Sequence, residues 1–379
     1  MLTLKELRAA KPGVFQSIAG VSPKEFEALL AQVEPRYHSM VKRRLERTDR
    51  KRAPGGGEKS RYDAADRLLM TLVWLRTYLT GEAVGFLFGV DKGTVSRFTR
   101  PILLILRDIG VDTLGWPEEA KEVLESIGPG SGESGASGAT PTDPPLDSPL
   151  DSPTEVSSDL SVESAPKINW PTDPIEDEEV LKKTEAEAVV TSDQSGCPDQ
   201  LAIVDATEQW VERAKVYATQ KMFYSGKKKA HTIKTQIIVN EHGRIRDVSD
   251  SVPGSTHDLT LLRESGVKTE LPAGLTVMGD TGYRGLQNDF PNASVALPYR
   301  PKDKQKLMPE EKLHNHFISS LRIVVENTLC ELKHFQILVT RFRHSLQRHS
   351  EIIKAIAGIV NLRIDNRLAK QSIASSTAT

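Results

Sequence analysis

Residues 129–199 divide the chain into two parts with different grammar, and this division constrains every reading of the fold. The stretch holds sixteen Asp/Glu against three Lys/Arg, is rich in Gly, Ser and Pro, and repeats Leu-Asp-Ser-Pro at 146–149 and 150–153. Such a composition buries too little apolar surface to offset chain entropy, so a disordered linker is expected. An acidic tail that imitates nucleic acid is the other reading, although nothing in the stretch specifies a partner. The segment also masks a charge. The whole chain carries 50 Lys/Arg and 51 Asp/Glu; without residues 129–199 the remainder is 47 basic and 35 acidic, a balance of +12. A cationic surface suits a polyanionic partner.

At 379 residues the chain is long enough for two domains with proper cores. No apolar run is long enough to span a bilayer, and the N-terminal Met-Leu-Thr-Leu-Lys-Glu lacks the apolar core of a secretory signal. Two cysteines, Cys197 and Cys330, make neither a disulfide framework nor a clustered metal site. A cytoplasmic location, nucleoid-associated if the source is bacterial, is the expectation, with no membrane partner.

Before the linker the pattern is helical. Ser22-Pro23-Lys24-Glu25 reads as a capping box opening a helix through Val33. Residues 36–61 carry ten Lys/Arg against three acids and a Gly-Gly-Gly break, which reads as a mobile basic arm. Residues 62–78 have a broad apolar face at helical spacing, a short helix follows from Glu82 to Phe88 and ends at Gly89, and Asp91 caps a third helix from Lys92 to about Ile109. Helix, glycine turn, helix is the outline of a helix-turn-helix. Its second helix would present Lys92, Thr94, Ser96, Arg97 and Arg100 to base edges in the major groove. A plain helical scaffold fits the same outline about as well.

After the linker strands alternate with helices. A short strand over 201–204 ends in Asp205, a hairpin covers 231–249, and a helix capped by Ser255 or Thr256 runs to about Glu264. A strand over 275–278 is ended by Gly279-Asp280, a short edge strand covers 294–297, and helices are expected over 309–336 and 352–366. The order predicts a mixed sheet covered by helices. Three acids stand out: Asp205, Asp280 and Glu326. Carboxylates delivered from separate elements to one point suit hard divalent cations and phosphoryl transfer. Taken singly, each has a local explanation: a loop cap, an Asp-Thr-Gly turn, and an i,i+4 pair with Arg322. Cations and phenylalanines alternate over 333–349, lining either a nucleic-acid channel or an ordinary core.

Six segments in register resemble the DDE transposases of small bacterial insertion sequences and the Harbinger group. They are Val-Asp-Ala-Thr at 204–207, Tyr-Ser-Gly-Lys-Lys-Lys at 224–229, His-Thr-Ile-Lys-Thr-Gln at 231–236, Pro-Gly-Ser-Thr-His-Asp-Leu at 253–259, Gly-Asp-Thr-Gly-Tyr at 279–283 and Arg-Ile-Val-Val-Glu-Asn at 322–327. Residues 87–97 are similar to the helix-turn-helix that precedes that catalytic domain. The resemblance implies a ribonuclease H-like α/β fold plus a small all-α DNA-binding domain. It divides the chain into an N-terminal helix and basic arm (1–61), a helix-turn-helix (62–128), the acidic linker (129–199) and a catalytic domain (200–370).

The resemblance further implies that Asp205, Asp280 and Glu326 form a triad holding two Mg²⁺ (or Mn²⁺) ions, with Asp258 and Arg322 supporting it. Asp258 is the main competitor for a triad place and ranks behind Asp280 because it follows a loop rather than an apolar strand. Lys227, Lys228 and Lys229 would touch the DNA backbone. The implied activity is cleavage and transfer of DNA strands at terminal inverted repeats by a homo-oligomer on double-stranded DNA. A non-catalytic DNA-binding derivative and a nuclease that never joins strands are the alternatives. Ala206 stands where many relatives have glycine, and the long acidic linker is an insertion relative to compact relatives.

Overall fold

The computed structural model of the chain describes residues 2–46, 60–116, 201–265, 275–290, 293–301 and 306–377. The acidic linker lies outside them.

The N-terminal part is helical: α1 (Leu4–Ala9), α2 (Pro12–Ala19), α3 (Pro23–Leu45), α4 (Ala64–Thr77), α5 (Gly81–Phe88) and α6 (Lys92–Thr113). The Ser22 capping box forms as expected, Ser22 accepting from the Glu25 amide while Glu25 accepts from the Ser22 amide. The helix it opens does not stop near Val33. It runs through the first basic residues to Leu45, so the stretch from Arg36 is helix rather than arm. The remainder of the expected arm, 47–59, lies outside the described residues. α1 and α2 were not anticipated; they bury Leu4, Leu7, Phe15 and Ala19.

After the linker come β1 (Leu201–Trp210), α7 (Tyr217–Phe223), β2 (Tyr224–Ser225), β3 (Ala230–Val239), β4 (Ile245–Val248), β5 (Val252–Pro253), α8 (Asp258–Glu264), β6 (Thr276–Met278), β7 (Ser294–Ala296), α9 (Pro309–Lys333) and α10 (Leu346–Thr377). The sheet order is β2-β3-β1-β6-β7, with β4 and β5 also pairing with β3. β1 runs antiparallel to β3 and parallel to β6, which is parallel to β7. This mixed sheet with helical flanks is the ribonuclease H-like arrangement expected.

Strand alternation divides the apolar residues between two faces. Ile203, Ile233, Ile237 and Met278 face one core, together with Val325 and Leu329 of α9 and Ile353 and Ile356 of α10. Ala202, Val204, Ile238 and Val277 face the other, with Leu259 and Leu262 of α8, Tyr283 and Phe290. The first core also takes in the N-terminal helices, so the helical part and the sheet share apolar surface.

The joint between them is close. A Cβ on Gly358 of α10 would lie 2.5 Å from the Gly110 Cα of α6, so the two helices touch backbone to backbone. Beside it the buried Asn361 side chain receives the Ile245 amide (2.8 Å) and donates to the Ile245 carbonyl (2.9 Å) and to Thr113 Oγ1 (3.3 Å). One amide thereby satisfies α6, β4 and α10 together.

Candidate functional site

Asp205 does not end its strand. β1 continues five residues further, and the ladder with β3 stays in register from Ile203↔Val239 to Trp210↔Thr232. The continuation survives its polar sequence because the inward groups find partners. Gln209 Nε2 donates to the carbonyls of Ile337 (2.7 Å) and Thr340 (2.6 Å), and Thr232 Oγ1 donates to Glu208 (2.8 Å). Asp205 therefore stands mid-strand, its side chain on the face toward α9. It accepts from its neighbour's amide, Ala206 N (2.8 Å), and from Arg322 Nη2 of α9 (3.3 Å). Burial pushes its carboxyl above the usual range, partly offset by Arg322 and the Ala206 amide, while the nearby Asp280 adds to the rise.

Asp280 follows β6 by two residues and opens a 3₁₀ turn, accepting from the Gly282 amide at 2.7 Å. Both glycines of Gly-Asp-Thr-Gly-Tyr are needed for room. A Cβ on Gly279 would lie 2.9 Å from the Tyr283 ring. A Cβ on Gly282 would lie 2.8 Å from Asp280 Oδ1 and 2.9 Å from Asp258 Oδ2, so these two carboxylates flank one bare backbone position. Below them Tyr283 is fully buried and donates to Gln236 Oε1 (3.2 Å). Its hydroxyl is held well above its usual pKa, first by burial and then by the charges of Asp258, Asp205 and Asp280. The phenol is thus a neutral floor beneath three carboxylates.

Glu326 reaches in from α9, where its side chain is largely exposed and lies 3.9 Å from Arg322, one turn earlier. Arg322 thus sits between Asp205 and Glu326 as the cation they share. Among the described residues no set of three or more His, Cys, Asp or Glu is close enough to hold a metal together. Asp280 and Asp258 meet at Gly282, Asp205 is near enough to Asp280 to feel its charge, and Glu326 is one arginine away from Asp205.

Asp258 is the first residue of α8, capped by His257 rather than by Ser255 or Thr256. Its Oδ1 accepts from Lys234 Nζ (2.7 Å), which also donates to the Thr256 carbonyl (2.6 Å) and lies 3.7 Å from Glu208. Lys234, Gln236 and Tyr283 stand in the segments that carry the resemblance but had no role assigned from sequence, and Glu208 was not singled out. Lys234 carried a signal: a lysine inside an otherwise inward-facing strand must find a counter-charge when buried. Arg300 was missed too; it hydrogen-bonds Thr281, beside Asp280.

In the helix-turn-helix, Thr80 caps α5 and Gly89 closes it in the left-handed conformation (φ 67°). Asp91 caps α6, accepting from the Thr94 amide (2.9 Å) and hydroxyl (2.6 Å). Lys92 and Arg97 are exposed; Lys92 pairs with Glu82 (2.8 Å), and Arg97 donates to Thr94 (2.8 Å). Ser96 is half-buried on the same turn. Arg100 is engaged elsewhere, by Glu351 of α10 (2.5 Å). Lys227, Lys228 and Lys229 form an exposed hairpin turn between β2 and β3. That turn stands eight residues along β3 from the Asp205 register, roughly 26 Å at 3.3 Å per residue. Phe335 and Phe342 are core residues, which settles the reading of 333–349 at those two positions.

Residues 204–361 match the family described as DDE superfamily endonuclease, and residues 63–111 match the helix-turn-helix of DDE superfamily endonuclease. Over 167 residues the chain is 36% identical to a probable transposase for insertion sequence element IS702 of Microchaete diplosiphon. That match covers 44% of this chain and 58% of the relative. No solved structure matches. Among the described residues no helix is long and apolar enough to cross a membrane.

Proposed function

We infer a transposase function for this chain, which belongs to the DDE superfamily endonucleases and carries their helix-turn-helix. In this reading the exposed first turns of α6 bind the ends of a mobile element, and the carboxylate group on the sheet cuts and joins DNA strands there. The observation that supports it most is the meeting of Asp280 and Asp258 at Gly282, with Arg322 joining Asp205 of the neighbouring strand to Glu326 of the facing helix.

Asp205, Asp280 and Glu326 are the residues that would hold divalent ions, Mg²⁺ or Mn²⁺, two in number. Their donor set fits: hard carboxylate oxygens, two of them close enough that one charge disfavours the other. When bound, such ions polarise the phosphate and lower the pKa of the attacking water or 3′-hydroxyl. The chain's own part is positioning. Glycines 279 and 282 let Asp280 approach Tyr283 and Asp258, and Lys234 fixes Asp258. Arg322 balances charge between Asp205 and Glu326. Aligning nucleophile and phosphodiester in this way supplies most of the acceleration without a covalent intermediate. Lys92, Thr94, Ser96 and Arg97 contact the element's ends, and Lys227–Lys229 hold backbone phosphates further along the duplex. A homo-oligomer acting in the cytoplasm, on double-stranded terminal repeats and target DNA, completes the proposal.

The test is cleavage and joining of DNA carrying the element's ends by full-length protein with Mg²⁺. Asp205→Asn, Asp280→Asn and Glu326→Gln should each lose at least about a hundredfold in rate, in line with loss of a transition-state contact, while still binding the ends. Wild-type rates in these variants would remove the triad, and cleavage without joined products would leave only a nuclease.

A further inference from the structure

The connection from the end of β1 to the start of β3 does something that neither a scaffold nor a duplex-phosphate contact requires: it exposes aromatic rings among cations. Between residues 210 and 231 there are six Lys/Arg and one acid, Glu212. Among the described residues no carboxylate pairs with Lys215, Lys221 or the lysines of the turn. Trp210 is 56% exposed, Tyr217 78% and Tyr224 46%, and Val216 and Met222 are exposed beside them. Elsewhere in the described residues exposed apolar side chains are more scattered along the chain, apart from a few on α9.

The segment is built rather than loose. Gln220 Nε2 donates to the Ala214 carbonyl (2.8 Å), and Arg213 forks onto Gln220 Oε1 (2.9 and 3.0 Å). The Met222 carbonyl accepts from the Ser255 hydroxyl (2.5 Å), tying α7 to the loop before α8. Tyr224 stands opposite His231 across the β2–β3 ladder, with ring centroids 5.7 Å apart. Tyr224 shares the sheet face of Asp205, whereas Trp210, paired with Thr232, lies on the other face. Rings are therefore offered on both sides of the sheet's end. Trp210 is five residues beyond Asp205 on the same strand, roughly 17 Å.

We propose that this segment is a binding platform for an unpaired DNA strand, Trp210, Tyr217 and Tyr224 stacking on bases while Lys221 and Lys227–Lys229 follow the phosphates. A closed duplex buries its base faces and offers exposed rings nothing to stack on. An unpaired strand offers both faces and phosphates, which is the combination of aromatic platform and cationic track that single strands require. The segment's charge of +5 selects a polyanion over an apolar protein partner. This role rests on the endonuclease reading, since cutting and joining at Asp205 is what would release unpaired ends about five base-pair steps away at 3.4 Å per step.

The test is anisotropy binding of the full chain, with chelator present, to a blunt DNA duplex and to the same duplex carrying an unpaired DNA tail. Wild type should prefer the tailed duplex. Tyr217→Ala and Trp210→Ala should each remove roughly fivefold or more of that preference, with blunt-duplex affinity and melting temperature unchanged. Tyr217 is exposed enough that its variant should fold even if the Trp210 variant does not. Lys227→Gln, Lys228→Gln and Lys229→Gln combined should weaken both probes and flatten the salt dependence.

The proposal is overturned by equal binding of the two probes, by a preference that survives both aromatic variants, or by tighter binding of an RNA tail. It is also overturned if the aromatic variants alter self-association in light scattering but not DNA binding, which would give the surface to a second copy. Cleavage by the wild-type chain separates the two readings. Tail preference in a wild type that never cleaves with Mg²⁺ sinks the endonuclease and spares the platform; wild-type cleavage without tail preference does the reverse.

Discussion

Arg100 of α6 grips Glu351 of α10 with both ends of its guanidinium, Nη1 2.5 Å from Oε2 and Nη2 3.2 Å from Oε1. The Glu351 side chain is buried and Arg107 stands 4.0 Å away as a second cation. This fork ties the helix proposed to read DNA to the last helix of the sheet-bearing part. It divides the cations of α6 by role: Lys92 and Arg97 point outward, and Arg100 serves the joint.

Arg100→Met should therefore lower stability by roughly 1–3 kcal/mol, because it leaves the buried Glu351 carboxylate to the more distant Arg107, and should leave sequence preference for DNA intact once the protein is folded. Arg97→Ala should do the opposite, weakening binding of element ends with an unchanged melting temperature. Denaturant melts and anisotropy on both variants check this. A stability-neutral Arg100→Met that loses DNA specificity would return Arg100 to the reading surface.

His349 should make the fold acid-sensitive. Gln209 Nε2 is committed to two carbonyls, so its Oε1 must accept from His349 Nε2 (2.8 Å), leaving Nδ1 to accept from the Ser251 hydroxyl (2.6 Å). Burial lowers this imidazole to about 3, against 6.5 in the unfolded chain. Between those values the unfolded chain binds the proton and the folded one does not, so stability is complete above pH 6.5 and drains as pH falls. From pH 7.5 to 5 the loss from this group is roughly 2 kcal/mol. In His349→Asn, whatever its stability at pH 7.5, that part of the acid slope should vanish; an identical slope in urea melts would sink the idea. His344, lowered to about 4 by burial and then by Arg348 and Arg343, adds a second contribution of the same sign.

Lys234 stands between Asp258 (2.7 Å) and Glu208 (3.7 Å), and the Lys234 and Glu208 side chains are nearly out of solvent. Lys234→Met should cost about 3–5 kcal/mol, since it leaves two carboxylates facing each other. Asp258→Asn, which keeps an acceptor for Lys234, should cost clearly less. A loss below about 1 kcal/mol for Lys234→Met would show that water reaches the cluster and screens it.

The order of the main strands and helices and the Ser22 capping box were legible because each is written in local spacing. What local spacing could not carry was decided by partners distant in sequence. β1 looked finished at Val204 because Ala206–Gln209 are small or polar. It continues because Gln209 meets carbonyls more than a hundred residues later and Glu208 meets Thr232 and Lys234. Arg100 looked like any cation on a reading helix until Glu351 arrived from the other end of the chain. The preference for Asp280 over Asp258 was readable only as strand end against loop. The structure brings both carboxylates to Gly282, and it is Lys234 that sets Asp258 apart.

Arg322 offers the sharpest measurement on the site itself. Its Nη2 lies 3.3 Å from Asp205 Oδ2 and 3.9 Å from Glu326 Oε1, so any cation held by those two carboxylates must share them with a guanidinium. Two unit charges about 4 Å apart interact by about 1 kcal/mol even at the dielectric constant of water, and a divalent ion doubles that. Arg322→Gln should accordingly tighten Mn²⁺ binding by at least about tenfold in calorimetry, at constant pH and low salt. Asp205 should meanwhile move further above its usual range, since Arg322 is the main influence opposing burial there. That second effect makes the gain smaller at acidic pH, where the carboxyl holds its proton, and larger near neutrality. If Arg322→Gln binds Mn²⁺ no better than wild type at neutral pH, the guanidinium is not competing for the carboxylates, and if it binds more weakly the guanidinium is holding them in place. In that case Arg322→Lys, which keeps the charge without the fork, should recover less than half of the wild-type affinity.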